Sequence, residues 1–173
     1  LQPNAFNDFT PGTYFGNVTW DATAGNLPLT GNALSLVGDL TNASGLAQTI
    51  ALPLTCDFTM QMDTGSGDIN VTNVISGTGG LTKLGSGTLI LGNANSYAGA
   101  TTVSAGTLRG GTINFIPATS AMTLAGATIF DLNGFDDTVG SVSGAGNITL
   151  GSAILTMGGD NSSTTVSGII SGN

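Results

Sequence analysis

The sequence predicts an all-β chain wound as a parallel β-solenoid with coils of about 20 residues, and three observations carry that prediction. The chain repeats itself: Ile75-Ser76-Gly77 returns as Ile170-Ser171-Gly172 at an offset of 95, and Leu29-Thr30-Gly31-Asn32-Ala33-Leu34 aligns at the same offset with Leu124-Ala125-Gly126-Ala127-Thr128-Ile129. Inside the long period lies a finer one, since Leu89, Leu108, Ile129, Leu150 and Ile169 sit in Gly- or Ser-flanked apolar segments spaced 19, 21, 21 and 19 apart. The third observation is local. Thr88-Leu89-Ile90-Leu91, Thr101-Thr102-Val103, Asn147-Ile148-Thr149-Leu150 and Ala153-Ile154-Leu155-Thr156 are short β-prone runs bounded by Gly, Asn or Ser, and no segment sustains a 3.6-residue apolar period. An array of this kind works through length and surface rather than through a pocket.

Taken in order, residues 1–25 read as an aromatic-rich N-terminal cap or lead-in, and 26–173 as the repeat array. The lead-in holds Phe6, Phe9, Tyr14, Phe15 and Trp20 with Pro3 and Pro11. Such a cluster suits a ligand or subunit contact, or a cap over the first coil, whose open edge would otherwise face water and other chains; the cap is the favoured reading. The array is built from Gly, Thr, Ser and Asn. Charged residues make up 7% of the chain against 40% hydrophobic, with 28 glycines, and mean hydropathy is positive. Disorder needs low hydrophobicity with high charge, so this chain folds. Thr, Ser and Asn can line coil faces and stack from coil to coil, while Gly supplies positive φ at corners.

The net charge of −8 arises from ten aspartates, with Lys83 and Arg109 as the cations. An acidic surface repels phosphate backbones, which excludes nucleic acid as a partner. No apolar run reaches the roughly 20 residues of a membrane-spanning helix. With no signal peptide and Leu1 in first place, the sequence reads as a mature or excised segment. Cys56 stands alone, so it forms no intrachain disulfide and reads as a small buried residue.

Residues 75–111 are specific enough to compare with a family. Ile75-Ser76-Gly77-Thr78-Gly79-Gly80-Leu81-Thr82-Lys83-Leu84-Gly85-Ser86-Gly87-Thr88-Leu89-Ile90-Leu91 runs on through Asn95-Ser96-Tyr97-Ala98-Gly99-Ala100-Thr101-Thr102-Val103 to Ala105-Gly106-Thr107-Leu108. This stretch closely resembles the passenger-associated β-strand repeat of bacterial autotransporters, including its lysine and its tyrosine. The segments Phe130–Phe135, Thr138–Gly144 and Gly158–Thr165 resemble the spacers of the same family. The resemblance implies a right-handed parallel β-helix within a long secreted passenger, extracellular or on the bacterial cell surface. It also implies partners: other coils or subunits of the same protein by β-stacking, host or matrix surface ligands, and an outer-membrane barrel during export. The sequence shows no run of barrel strands and stops at Asn173 where the repeat would continue, so it reads as a slice of an array.

Candidate chemistry is sparse, and no catalytic, cofactor-binding or metal site is assigned. With no His or Glu, a Ser or Cys nucleophile lacks an ordinary base, and a Ser–Lys pair could use only Lys83, which reads instead as a side chain lying along the coil surface. Asp136-Asp137 is the adjacent carboxylate pair, read as a solvated turn after Gly134-Phe135, with polysaccharide cleavage as the remote alternative. Gly65-Ser66-Gly67-Asp68-Ile69-Asn70-Val71 resembles a calcium nonapeptide, but its Gly-to-Asp spacing is one short and it is not tandem. Asn17-Val18-Thr19, Asn147-Ile148-Thr149 and Asn161-Ser162-Ser163 permit glycosylation without requiring it. Three function classes follow: a passenger stalk of an autotransporter-type surface protein, serving secretion and adhesion or biofilm formation; a filament subunit stacking end to end; and, remotely, a β-helix enzyme.

Overall fold

Short runs with alternating apolar residues, each ending at Gly, Asn or Asp, cannot form long strands or helices, but they can lie one above another and bury a common stripe. The computed structural model describes residues 5–172, with side chains from residue 7, and among the described residues there is no helix. The first turn is β1 (Ala5–Asn7), β2 (Tyr14–Phe15) and β3 (Val18–Trp20); the second is β4 (Leu29–Gly31), β5 (Leu34–Leu36) and β6 (Leu40–Asn42). The third is β7 (Gln48–Ile50), β8 (Leu54–Cys56) and β9 (Met60–Asp63), and the fourth β10 (Ile69–Val71), β11 (Ile75–Ser76) and β12 (Leu81–Leu84). Turn five has β13 (Thr88–Leu91) and β14 (Thr101–Val103), and turn six β15 (Thr107–Gly110) and β16 (Ala121–Leu124). Turn seven is β17 (Ile129–Asp131), β18 (Asp137–Val139) and β19 (Ser141–Gly144); turn eight holds β20 (Asn147–Thr149) and β21 (Leu155–Met157), and β22 (Ile170–Ser171) follows.

Every pairing among these strands is parallel. The first face is a nine-stranded sheet running β1-β4-β7-β10-β13-β15-β17-β20-β22, and the third a seven-stranded sheet from β3 to β19. The second face is broken: β2, β5, β8 and β11 form one sheet, β18 and β21 another, and turns five and six cross the gap without a strand. The predicted β-solenoid is the observed fold, with about eight turns.

Strand alternation sends one stripe inward. On the first face Ile69, Leu89, Leu108, Phe130 and Ile148 stack in register and are fully buried. This column corrects the finer period read from sequence. Leu89 and Leu108 do pair, but Leu108 continues to Phe130 and Ile148, whereas Ile129 and Ile169 are outward and exposed. Coil length varies, so a fixed count slips by a residue, and one residue reverses a side chain. Likewise the 95-residue offset does not join equivalent positions: Ile75 lies on the second face paired with Leu54, and Ile170 on the first paired with Ile148.

Backbones one ladder spacing apart, about 4.8 Å, leave no room for a side chain where two corners meet. At Gly87 a Cβ would run into the carbonyl oxygen of Gly67 in the coil below, whereas at Gly16 it would meet nothing within 4 Å. We therefore expect Gly87→Ala to lower stability by about 3 kcal/mol and Gly16→Ala to leave it within about 0.5 kcal/mol. Denaturant midpoints of the two variants check this, and equal midpoints would mean that the corner spreads freely.

Candidate functional site

The part of the solenoid with the densest buried polar chemistry lies in turns three to seven. On the third face the inward column passes from Met62 to Lys83 to Val103. Lys83 is fully buried, which corrects the expectation of a surface-lying side chain. Alternation in Leu81-Thr82-Lys83-Leu84 turns positions 81 and 83 inward, and the stem reaches a corner rich in carbonyls. There the ammonium donates to Thr64 Oγ1 at 2.9 Å, to the carbonyls of Leu84 and Gly85 at 2.8 Å each, and to that of Ala105 at 3.2 Å. Thr64 Oγ1 in turn donates to Leu84 O at 3.1 Å, leaving its lone pair for the lysine. Burial pulls the Lys83 pKa down to about 8, against the pull of the Asp63 and Asp68 carboxylates.

Where the second face lacks strands, side chains replace the ladder. Asn95 Oδ1 accepts from Ile75 N at 2.7 Å while its Nδ2 donates to Phe115 O at 2.7 Å. Beside it the Tyr97 hydroxyl, buried with its ring, meets Thr101 Oγ1 at 2.7 Å, Thr101 meets Ser120 Oγ at 2.9 Å, and Ser120 donates to Gly99 O at 3.0 Å. Burial raises the Tyr97 pKa above its ordinary value. Among the described residues no buried side-chain nitrogen or oxygen lacks a hydrogen-bond partner.

The adjacent aspartates are not a solvated turn. Asp137 begins β18 and is 1% exposed, whereas Asp136 is exposed, so strand alternation sends the two carboxylates to opposite sides. Asp137 accepts from Ile116 N at 3.1 Å and Thr138 N at 2.8 Å, and Asp136 from Ile154 N at 2.7 Å. Burial lifts the Asp137 pKa to about 7. Their divergence removes the geometry that two cooperating carboxylates need.

Cys56 is buried, donates to Ser76 O at 3.4 Å, and has its thiol pushed up to about 11 by burial and the Asp57 charge. In the calcium-like segment Asp68 Oδ1 accepts from Thr88 N at 2.7 Å, and among the described residues no three His, Cys, Asp or Glu side chains gather as a metal cluster. Of the glycosylation triplets, Asn17 Oδ1 accepts from Asp39 N and Asn147 Oδ1 from Ile169 N, both at 2.9 Å.

These last contacts share a principle that the sequence reading missed. A corner Asn or Asp oxygen takes the N–H of the residue one coil further on: Asn17 that of Asp39, Asp39 that of Gln61 at 3.0 Å, Asp68 that of Thr88. Asn or Asp recurring one coil length before a corner is the signal that could have found it. Asp39 and Asp68 thus belong to the stacking machinery. Of the N-terminal aromatics, Trp20 is buried and donates to Leu27 O at 3.3 Å, Phe15 packs against the core with Phe9 edge-on at 5.3 Å, and Phe9 and Tyr14 are exposed. Pro3 and the Phe6 side chain lie outside the described residues.

The passenger-associated-transport-repeat family model matches residues 81–109, the stretch that supplies Lys83, Asn95, Tyr97 and Thr101. The chain carries an autotransporter passenger repeat. It is also 41% identical over 134 residues, 69% of its length, to the adhesin BmaC autotransporter of Brucella suis biovar 1 (strain 1330), of which it spans 4%. No solved structure matches. In the passenger repeat the inward residues are Leu81, Lys83, Leu89, Leu91, Tyr97, Thr101, Val103 and Leu108, all at most 1% exposed. These inward side chains build the core of the repeat.

Two opposite pH responses follow. Asp137, with its folded pKa raised from 3.8 to about 7, holds more protons in the folded chain across that window, so its contribution to stability falls as pH rises from 4 to 7. Lys83, lowered from 10.5 to about 8, holds fewer protons in the folded chain, so stability rises above pH 8; the raised thiol of Cys56 opposes this only beyond its ordinary 9.0. Denaturant midpoints should fall from pH 4 to 7 and rise from 8 to 9. Asp137→Asn should flatten the first slope and Lys83→Met the second, and slopes unchanged in both variants would contradict the assignments.

Proposed function

We propose that this chain is a rigid stalk segment of an autotransporter passenger at the bacterial cell surface, in a protein that serves adhesion, and that it has no catalytic role. The observation that carries the reading is the first-face ladder, unbroken through about eight turns beside one buried core, with an autotransporter passenger repeat at its middle. At about 4.8 Å per turn that ladder makes a rod about 40 Å long. The Brucella relative is named an adhesin, which supports adhesion as the task of the whole protein. The engagement of Asp39, Asp68, Asp136 and Asp137 in bonds between coils supports a structural use of groups that could otherwise have served chemistry.

On this reading residues 1–25 act as an aromatic-rich cap or lead-in and 26–173 as the array. The partners are neighbouring coils of the same protein, host or matrix surface ligands met by the whole passenger, and the outer-membrane barrel during export. Export across the outer membrane has no nucleotide to drive it. Coil-by-coil folding outside supplies a bias, since each coil contacts its neighbours and adds about 1.5–3 kcal/mol per buried aliphatic side chain against the ordering of its backbone. Deleting residues 81–109 from the full-length passenger should lower surface labelling on intact cells several-fold and leave material in the periplasm. Surface labelling and periplasmic content that both match the parent would remove the reading.

A further inference from the structure

We propose that Lys83 and Asn95 are positioning residues that clasp turns three to six into one cooperative block, so that these coils dock and open together rather than one at a time. The proposal deepens the stalk reading, on which it rests for its use in export but not for its geometry. Most side chains that cross coils join one turn to the next: Asp68 reaches Thr88, and Arg109 reaches Asp131 at 2.8 Å. Lys83 reaches further. Thr64 closes turn three, Leu84 and Gly85 close turn four, and Ala105 closes turn five, and all supply oxygens to the same ammonium. Asn95 repeats the device one turn on, holding Ile75 N of turn four and Phe115 O of turn six. The two spans overlap in turns four and five, and both residues lie within the passenger repeat.

A solenoid whose coils touch only neighbours frays from its end one turn at a time. A buried ammonium alters that sequence. If turn five peels away, Lys83 loses its charge-assisted bond to the Ala105 carbonyl and Asn95 leaves Ile75 N, so the interface between turns four and five forfeits more than one held by packing alone. The charged groups facing it are Asp63 and Asp68, which belong to turns three and four and stay with it when turn five opens. Such bonds strengthen the successive interfaces from turn three to turn six, and stronger coupling between neighbouring coils makes the coils it joins one cooperative unit. For a passenger emerging stepwise, the clasp closes once the turn after the repeat's lysine has folded, and it then holds that length against retreat.

Native-state hydrogen exchange with mass spectrometry on the purified chain tests this without any export step. In the parent, peptides covering 60–66, 81–87 and 101–107 should exchange in step. In Lys83→Met they should separate, with 101–107 exchanging about tenfold faster than 60–66, while 141–149 keeps its rate. Thr64→Val, which removes one acceptor and keeps the lysine, should give the same separation at about threefold, and it carries the test if Lys83→Met does not fold. Peptides that remain in step in the variants, or a loss of protection spread evenly along the chain, would overturn the clasp. Neither result bears on surface display, which the deletion experiment decides separately.

Discussion

The parallel ladder that sets each coil about 4.8 Å above the last is the constraint from which the rest of this molecule follows. Successive coils must present nearly the same cross-section, so bulk can be added only outward or lost only to glycine. At Gly77, with φ +113°, a Cβ would strike the Cys56 carbonyl one coil below. The same spacing explains the scarcity of charge, since identical charges stacked in register would repel along the whole length. The first face shows the permitted exception: Arg109 and Asp131 are ladder partners, and their signs alternate.

The interior of so narrow a fold has few apolar side chains per coil, and buried polar groups share the work of joining turns. They form two seams. One follows the corner between third and first faces, where Trp20, Asn42, Gln48, Thr64 and Lys83 each hydrogen-bond to corner groups. The other follows the second face and its corner with the third through Asn95, Tyr97, Thr101, Ser120 and Asp137, beside the break in the second-face ladder. The passenger repeat lies where one seam gives way to the other. Its matched residues are conspicuous as a motif because they serve both.

Fold class was legible in the sequence because it depends on patterns that survive small errors: short β-prone runs, corner glycines and a repeat of roughly one coil. Register was not. Ile129 and Ile169 are apolar yet outward, and a chain whose coils differ in length offers no local signal that distinguishes them from Phe130 and Ile148. Lys83 was misplaced for a related reason. Its charge argues for solvent, and only the four oxygens gathered from three coils make burial tolerable, an arrangement that no stretch of contiguous residues reveals. Asp137 was missed likewise, because its partner Ile116 lies 21 residues away.

The inward turn of Lys83 has an outward consequence. With that lysine sealed in the core, Arg109 is the basic side chain that the array presents to solvent, and it is itself tied to Asp131. Proteases of the trypsin class cut after lysine or arginine, and here one such bond lies beneath the surface while the other sits within a stacked strand. Against that class of protease this segment is guarded less by armour than by offering almost nothing to grip.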